Sequence, residues 1–478
     1  MCGIIGIIGT PQAAQESYLG LLMLQHRGQD SAGILSFDDS QYEFHQEKNL
    51  GQIKDAIPEE KVLGLKGNIA IGHTRYSTIG KIRKEEIQPM LINSPFGMAM
   101  VHNGNIINTA EIKANLRNKN KRTVFSHNDL ELMLNLYAEN LPSNVKDKFS
   151  FQDMITATTK LFQGINGGYS VISTLADHGM IAFKDPSGIR PLCFGEKGGC
   201  YGLASESKSL EFLGYTNIRE LSAGELLFIS NEGKVHSKII SKRPSRPCMF
   251  EWIYFSNADT NIWNKSVYQM RLRFGQKLAE SIEDKDFDIV VPVPDTSRPS
   301  AIALSEELGI PYREVLIKNR YSQRTFILNT QKDRENAIKL KMNAVKSEVI
   351  GKKILLVDDS IVRGSTSKRI IQHLLDCGAT KVSIASTCPP IKKPCYYGID
   401  FPNSEELVAF NRNPMEVART IGAQDVYYLP IEALKEIFDD LKICTACLDG
   451  DYPTDITQTN TMIDKRIKHE EIDLPRLR

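Results

Sequence analysis

Residues 352–379 read KKILLVDDSIVRGSTSKRIIQHLLDCGA. An apolar run from Ile354 to Val357 ends in two adjacent carboxylates, Asp358 and Asp359, and then in a string of small residues. Beyond it, spacings of three and four put Ile370, Ile371, Leu374 and Leu375 on one face of a predicted helix. Gly378 supplies the residue that commonly ends such a helix. Strand, loop and helix follow in that order, and KVSIAST (381–387) reads as the next strand. Upstream, the strand-like DIVVPVP (288–294) precedes the helical PSAIALSEELG (299–309). Strands alternating with helices predict βαβ units and a parallel sheet.

Ligands of such sheets bind beyond the carboxyl ends of the strands, where Asp358 and Asp359 fall. The segment Ser360–Thr366 offers small residues and backbone N–H groups at a helix N-terminus, which suits a phosphate. The two acids suit ribose hydroxyls or Mg²⁺. Two acids alone would more often cap and solvate a helix; the whole ten-residue string outweighs that reading.

The first 235 residues have a different texture. Short β-like runs (CGIIGII, NIAIGHTRY, GMAMVHNGNI, YSVISTLADHGMIAF, GELLFISNEGKV) are broken by Gly, Asn and Asp, with helical stretches near Gln15–Leu24 and Asp129–Glu139. Stacked sheets with helices outside, an α+β layered domain, are expected. Residues 2–235 are assigned to this domain, 236–250 to a linker containing KRPSRP (242–247), 251–440 to the parallel-sheet domain, and 441–478 to a cysteine-containing segment and tail.

Cys2 stands at the front of the first strand, a position usually filled for packing. With the initiator Met removed, however, it carries a thiol beside a free α-amine whose ordinary pKa, about 7.7–8.0, suits a base at neutral pH. An amide-cleaving nucleophile also needs an oxyanion hole. Asn103 and Gly104, in HNGN (102–105), supply a side-chain amide and a close backbone N–H. Arg75 offers a fork for an α-carboxylate, and Asp129 a partner for an α-ammonium.

At 478 residues, 41% hydrophobic and 24% charged, the chain fits two or three ordinary globular domains. A net charge of +1 argues against nucleic acid, and no apolar run approaches the roughly 20 residues of a membrane span. No secretory leader is evident, so a cytoplasmic protein with no membrane partner is expected. The nine cysteines are then no disulfide framework. Cys193, Cys200, Cys377 and Cys388 read as packing residues, whereas the Cys444-x-x-Cys447 pair fits a redox pair, half a zinc site or chance.

Two resemblances organise these signals. CGIIGI, LQHRGQDSAGI, GHTRYSTIG, QPM, HNGNI and GGYS, in this order, resemble the glutaminase domain of N-terminal-nucleophile amidotransferases. The resemblance implies a four-layer fold with Cys2 as nucleophile, Asn103 and Gly104 as oxyanion hole, and Arg75, Asp129, Arg27 and Gly28 around glutamine. The family's Ser-Asp-Thr-Glu reads Asn128-Asp129-Leu130-Glu131 here. VDDSIVRGST, VPVPDTSRPSAIA and the stretches 309–327 and 331–345 resemble type I phosphoribosyltransferases and their phosphoribosyl pyrophosphate (PRPP) signature. That likeness implies Mg²⁺–PRPP at Thr296, Asp358 and Asp359, and a 5′-phosphate on Ser360, Arg363, Gly364, Ser365 and Thr366. It also places Lys318, Arg320 and Arg324 at pyrophosphate or a nucleotide.

Together the halves resemble the amidophosphoribosyltransferase family along nearly the whole chain, with glutamine and PRPP as substrates in the first committed step of purine synthesis. Cys248, Cys395, Cys444 and Cys447 match the ligand positions of its [4Fe–4S] subgroup, although four thiolates also suit Zn²⁺. Homotetramers inhibited by purine nucleotides are carried over as expectations. One departure is Asn257-Ala258, where the family has Arg-Pro. Another glutamine amidotransferase, a PRPP-sensing protein without activity and a metal-stapled scaffold are the alternatives. The DDSIVRGST string opposes the first and the intact Cys2, Arg75 and Asn103 set the second.

Overall fold

The computed structural model describes residues 1–76, 83–119, 121–142, 150–241, 243–318, 342–401, 403–439, 441–457 and 459. Its first half is built on two sheets. The first joins, in spatial order, Thr216–Glu220, Cys193–Lys197, Cys200–Ala204, Gly3–Ile8, Ile69–Arg75, Ser31–Asp38 and Glu43–Leu50. The second joins Val235–Ile239, Glu225–Ser230, Gly179–Lys184, Gly167–Leu175, Met98–Ile106 and Met90–Ile92.

The period of two along each strand explains the layering. From the first strand, Ile4 and Ile8 face the second sheet, where they join Val101, Ile172 and Ala182. Ile5 and Ile7 point the other way, onto Tyr18 and Leu21 of the helix Ala13–Met23. Gly6 sits on the inner face, where an added Cβ would come within 2.7 Å of Ile172. The sheets are thus too close there for any side chain. The outer face of the second sheet packs Met100, Val171 and Phe183 against the helices Asp129–Asn140 and Phe151–Gly164.

The four-layer order, helix–sheet–sheet–helix, agrees with the sequence reading. The helices Thr109–Asn118, Phe151–Gly164 and Ser207–Phe212 escaped it. The edge strand Val235–Ile239 carries the second sheet into what the sequence assigned to the linker.

The second half holds a four-stranded parallel sheet in the order Ile289–Pro292, Lys353–Asp358, Lys381–Ser386, Val426–Tyr428. Alternation again divides its core. Ile354 and Leu356 bury against Ile370, Ile371 and Leu374 of the helix Ser365–Asp376. Leu355 and Val357 face Phe274 of the helix Val267–Ala279, and Ala301 and Leu304 of the helix Arg298–Leu308. That second face is continuous with Met249, Trp252, Tyr397 and Cys444, and with Met1, Ile107 and Ile189 of the first half. The two halves therefore share one apolar core.

Candidate functional site

The register of the first sheet sets Gly3 opposite Thr74, which brings Cys2 and Arg75 to one end of it. Asn103 and Gly104 come from the facing sheet, opposite Ser170 and Tyr169. The Cys2 N–H donates to Asn103 Oδ1 at 3.1 Å. Asn103 is fully buried, yet its Nδ2 has no hydrogen-bond partner. Such an orphaned donor costs stability unless something arrives to accept from it. Gly104 has φ +153°, and an added Cβ would stand 2.1 Å from the Gly168 carbonyl oxygen. Only glycine fits.

Asp129 opens its helix under the cap of Asn128, whose side chain accepts the Leu130 N–H. Asp129 Oδ2 accepts the Ile106 N–H at 2.9 Å and lies 3.3 Å from His102 Nε2. Burial pushes the Asp129 carboxyl up, but His102 and the Ile106 N–H outweigh it and hold the group below the usual carboxylate range. Gln88 fixes His102 through its ring Nδ1 at 2.9 Å and its backbone N–H at 2.8 Å. The Glu86 carbonyl accepts from both Arg75 Nη1, at 2.8 Å, and Asn128 Nδ2, at 2.7 Å, and so ties the cationic and anionic ends together. Asn128, a drifted neighbour of Asp129, and the retained Glu131 have structural work: Glu131 accepts the N–H groups of Phe125 and Ser126 at 2.7 Å.

Arg27 takes a different place from the one the resemblance implied. Its guanidinium is wholly buried, paired with Glu206 at 2.7 Å and Glu251 at 3.0 Å, while Nε donates to the Cys2 carbonyl at 3.0 Å. It braces the nucleophile from behind instead of facing a substrate. Gly28 is a contact glycine: a Cβ there would come within 2.6 Å of the Thr74 and Arg75 backbone. Met1 is buried in the core shared by the two halves, and burial lowers the pKa of its α-amine.

The second site surrounds the carboxyl end of the strand Lys353–Asp358. Asp359 accepts from the Thr296 hydroxyl and from Ser360 Oγ, the latter at 2.8 Å. Asp358 and Asp359 are both buried, and burial holds both carboxyls above their usual range; the charge of Asp359 pushes Asp358 further. Gly364, φ +75°, turns the chain into the helix Ser365–Asp376, where Ser365 and Thr366 stand exposed in the first turn. Lys318 reaches the same region through Asp295, at 2.8 Å. Arg363 is engaged by Glu406 at 2.7 Å and by Asp400 at 3.5 Å. Arg320 and Arg324 lie outside the described residues.

Cys248, Cys395, Cys444 and Cys447 are all buried and free of disulfides. Cys248 and Cys444 face each other across a parallel bridge, and the Cys447 carbonyl accepts the N–H groups of Lys392 and Lys393 at 3.0 Å. Burial pushes the Cys248 thiol up to about 11, with Cys395 adding to the shift, and it raises Cys444 and Cys447 as well. Among the described residues no group of three His, Cys, Asp or Glu side chains stands close enough to hold a single metal ion. Cys388 is buried near Asp359 and Cys248, in keeping with packing.

Between the sites runs a buried charged network that the sequence reading missed. Glu251 bridges Arg27 and Arg190, and Arg190 Nε donates to the Tyr397 carbonyl at 2.8 Å. Asn105 Nδ2 reaches the Tyr396 carbonyl at 2.8 Å. The departure at Asn257 falls here too: its N–H donates to Glu206 at 3.2 Å, and its side chain lies 3.3 Å from His26. A glutamate inside the apolar run MFEWIYF (249–255) was the available signal, because such a charge buries only with a partner.

The chain matches a glutamine amidotransferase domain over residues 73–212 and a phosphoribosyl transferase domain over residues 267–400. It is 39% identical to an amidophosphoribosyltransferase of Pseudomonas aeruginosa over 95% of this chain and 93% of that one. Its identity to the Methanothermobacter thermautotrophicus amidophosphoribosyltransferase is 41%, over 95% and 94%. The chain belongs to the amidophosphoribosyltransferase family. A solved B. subtilis glutamine PRPP amidotransferase, complexed with ADP and GMP, superimposes with TM-score 0.85 at 37% identity, covering 96% of this chain and 98% of that one. A structure described as the allosteric regulatory enzyme of purine biosynthesis gives TM-score 0.87 at 36% identity, covering 97% and 99%. As a family member the chain is a pentosyltransferase that moves glutamine nitrogen to PRPP in purine biosynthesis.

Proposed function

We propose that glutamine is cleaved at Cys2 and that the released ammonia reaches PRPP at Asp358–Thr366 inside one chain. The observation that carries this reading is the free Nδ2 of buried Asn103 beside the Cys2 nitrogen. In the chain lacking Met1, the Cys2 nitrogen is an α-amine and takes the thiol proton. The sulfur adds to the glutamine side-chain carbonyl, and Asn103 Nδ2 with the Gly104 N–H receives the oxyanion. Collapse expels ammonia, which takes up a proton from the amine, and leaves a γ-glutamyl thioester. Water then cleaves the thioester to glutamate and restores the thiol. Arg75 and Asp129 hold the α-carboxylate and α-ammonium.

At the second site ammonia attacks C1 of the ribose while the C1–pyrophosphate bond breaks, giving 5-phosphoribosylamine. Ser360–Thr366 hold the 5′-phosphate at the helix N-terminus. Two buried adjacent carboxyls held above their ordinary range fit a divalent cation, which would make their ionised forms favourable again. When bound, Mg²⁺ neutralises pyrophosphate charge; Asp358, Asp359 and Thr296 are its candidate holders. The four buried thiols fit a thiolate-ligated group, and we assign them a structural [4Fe–4S] cluster. Cytoplasmic location, a homotetramer and inhibition by purine nucleotides belong to the same reading; no helix among the described residues is long and apolar enough to cross a membrane.

Pyrophosphate release with PRPP and Mg²⁺, compared with glutamine and with ammonium, tests the pairing of sites. Asp358→Asn should abolish both rates while slow glutaminase turnover persists; undiminished PRPP affinity in that variant would refute the assignment. Anaerobic protein should be brown and hold about four irons per chain, whereas colourless zinc protein of full activity would refute the cluster.

A further inference from the structure

The edge strand Glu43–Leu50 places a lysine ammonium on backbone carbonyls. Gly33 and Lys48 stand opposite each other in the register, on the inner face that also carries Leu35. An added Cβ at Gly33 would come within 2.2 Å of the Gln88 carbonyl oxygen and 2.9 Å of Pro89 Cδ. The segment 87–89 therefore lies directly across these two strands. Lys48 Nζ donates to the Ile87 carbonyl at 3.0 Å and to the Pro89 carbonyl at 3.1 Å. Gln46 Nε2 donates to the Pro89 carbonyl at 2.8 Å. Three hydrogen bonds thus grip the backbone on either side of Gln88.

Among the described residues no carboxylate pairs with this ammonium. Lys48 is half-buried, and burial lowers its pKa. An ammonium drawn from water without a counter-charge costs the fold stability at neutral pH, a cost that an apolar side chain of similar length would avoid. The position is therefore better explained by what its donors hold in place than by the stability it adds.

What the grip secures is the side chain of Gln88. Gln88 Oε1 accepts the His102 N–H at 2.8 Å, so the other end of the amide, Nε2, meets His102 Nδ1 at 2.9 Å as a donor. Turning the amide over would set two N–H groups against each other. Nδ1 must then accept, and the ring proton stands on Nε2, 3.3 Å from Asp129 Oδ2. The geometry points to Lys48 as a positioning residue for the α-ammonium of glutamine, acting through Gln88 and His102 on Asp129. The inference rests on the reading of Asp129 given above, and it makes an edge strand part of how the site selects an amino acid.

Ammonia release from glutamine by the whole protein is the assay. Lys48→Met should raise the KM for glutamine about tenfold and keep kcat within about twofold, the pattern of lost ground-state binding. Lys48→Arg, which again presents donors to both carbonyls, should recover most of the loss. Glutaramate, which is glutamine without its α-amino group, tells positioning from general damage. Its inhibition constant against glutamine should be the same in the wild type and in Lys48→Met. If glutaramate inhibits neither protein, the KM rise and its reversal by arginine decide. Asp129→Asn separates this inference from the reading beneath it. Equal weakening of glutamine and glutaramate in Asp129→Asn would show that Asp129 does not hold the α-ammonium. Weakening of glutamine alone there, with an unchanged KM in Lys48→Met, would overturn the role of Lys48 and leave Asp129 in place. Loss of kcat and of glutaramate affinity in Lys48→Met, together with a lowered unfolding temperature, would likewise overturn it, because the lysine would then only hold the fold. Gln46→Leu, which removes one of the two donors to Pro89, should raise the KM less and carries the test if Lys48→Met does not fold.

Discussion

The two catalytic regions handle buried charge in opposite ways. Around Cys2 the protein supplies its own compensation: Asp129 is held below the ordinary carboxylate range by His102 and a backbone N–H, and Arg75 is anchored by Glu86. At the PRPP loop Asp358 and Asp359 are left beside each other in the interior, both pushed up. The first site is largely finished by folding, and it keeps the buried Asn103 amide open. The second is finished by its ligand. The difference follows from the substrates: glutamine is neutral overall with charge at one end, whereas PRPP arrives as a polyanion with its cation.

Breaking the finished site gives the largest effect. Cys2→Ala should lower glutamine-dependent product formation by about 10⁴-fold or more, because no other group can form the thioester. The ammonia-dependent rate should stay within about twofold, since the second site is untouched. Parallel assays of pyrophosphate release with the two nitrogen donors decide it; equal loss of both would collapse the comparison. Asn103→Ala comes next. Removing one oxyanion donor costs about 10²–10³ in kcat, and here it also removes the acceptor of the Cys2 N–H. A kcat loss with little change in KM for glutamine is expected.

The network between the sites predicts an effect on stability. Burial raises the Glu206 carboxyl, but His26 and Arg27 outweigh it and lower it to about 2. A depressed acid stabilises the fold above its unfolded pKa, about 4.3, and that contribution is lost as pH falls from there toward 2. Glu206→Gln leaves Arg27 buried with one of its two carboxylate partners, and removing one member of a buried pair costs about 3–5 kcal/mol. Denaturant unfolding at pH 7 should show that loss and pH 3 a smaller one. A pH-independent difference would mean that the glutamate acts only by its shape.

Much of this was legible beforehand, and for a common reason. Local chemistry writes itself into adjacent residues: VDDSIVRGST marks a strand end, two acids and a helix start within ten positions, and HNGN carries donor and glycine together. The core pattern was equally local, since GIIGII alternates between two buried faces. What stayed hidden joins distant positions. Arg27, Glu206, Glu251 and Arg190 form one cluster across nearly half of the chain, and no spacing rule connects them. Arg27 therefore looked like part of the substrate pocket when it braces the Cys2 carbonyl. The helix Phe151–Gly164 escaped because its sequence is interrupted by three threonines, all of which bond back to their own helix carbonyls.

The smallest expected effect sharpens the contrast most, because its sign is unusual. A carboxyl whose folded pKa lies above its unfolded value destabilises the fold when ionised. Stability is greatest below the unfolded pKa, falls as pH rises toward the raised folded value, and stays at its minimum beyond it. In the ligand-free protein at pH 8, Asp358→Asn removes one of two buried like charges while keeping the shape. The unfolding temperature should rise by about 2 °C, and the gain should shrink toward zero as pH approaches 4. With Mg²⁺ and PRPP present the order should reverse, because the wild type then gains ligand-binding stability that the variant has lost. A variant less stable than the wild type under every condition would show that Asp358 is compensated in the empty protein, as Asp129 is, and the distinction between the two sites would disappear.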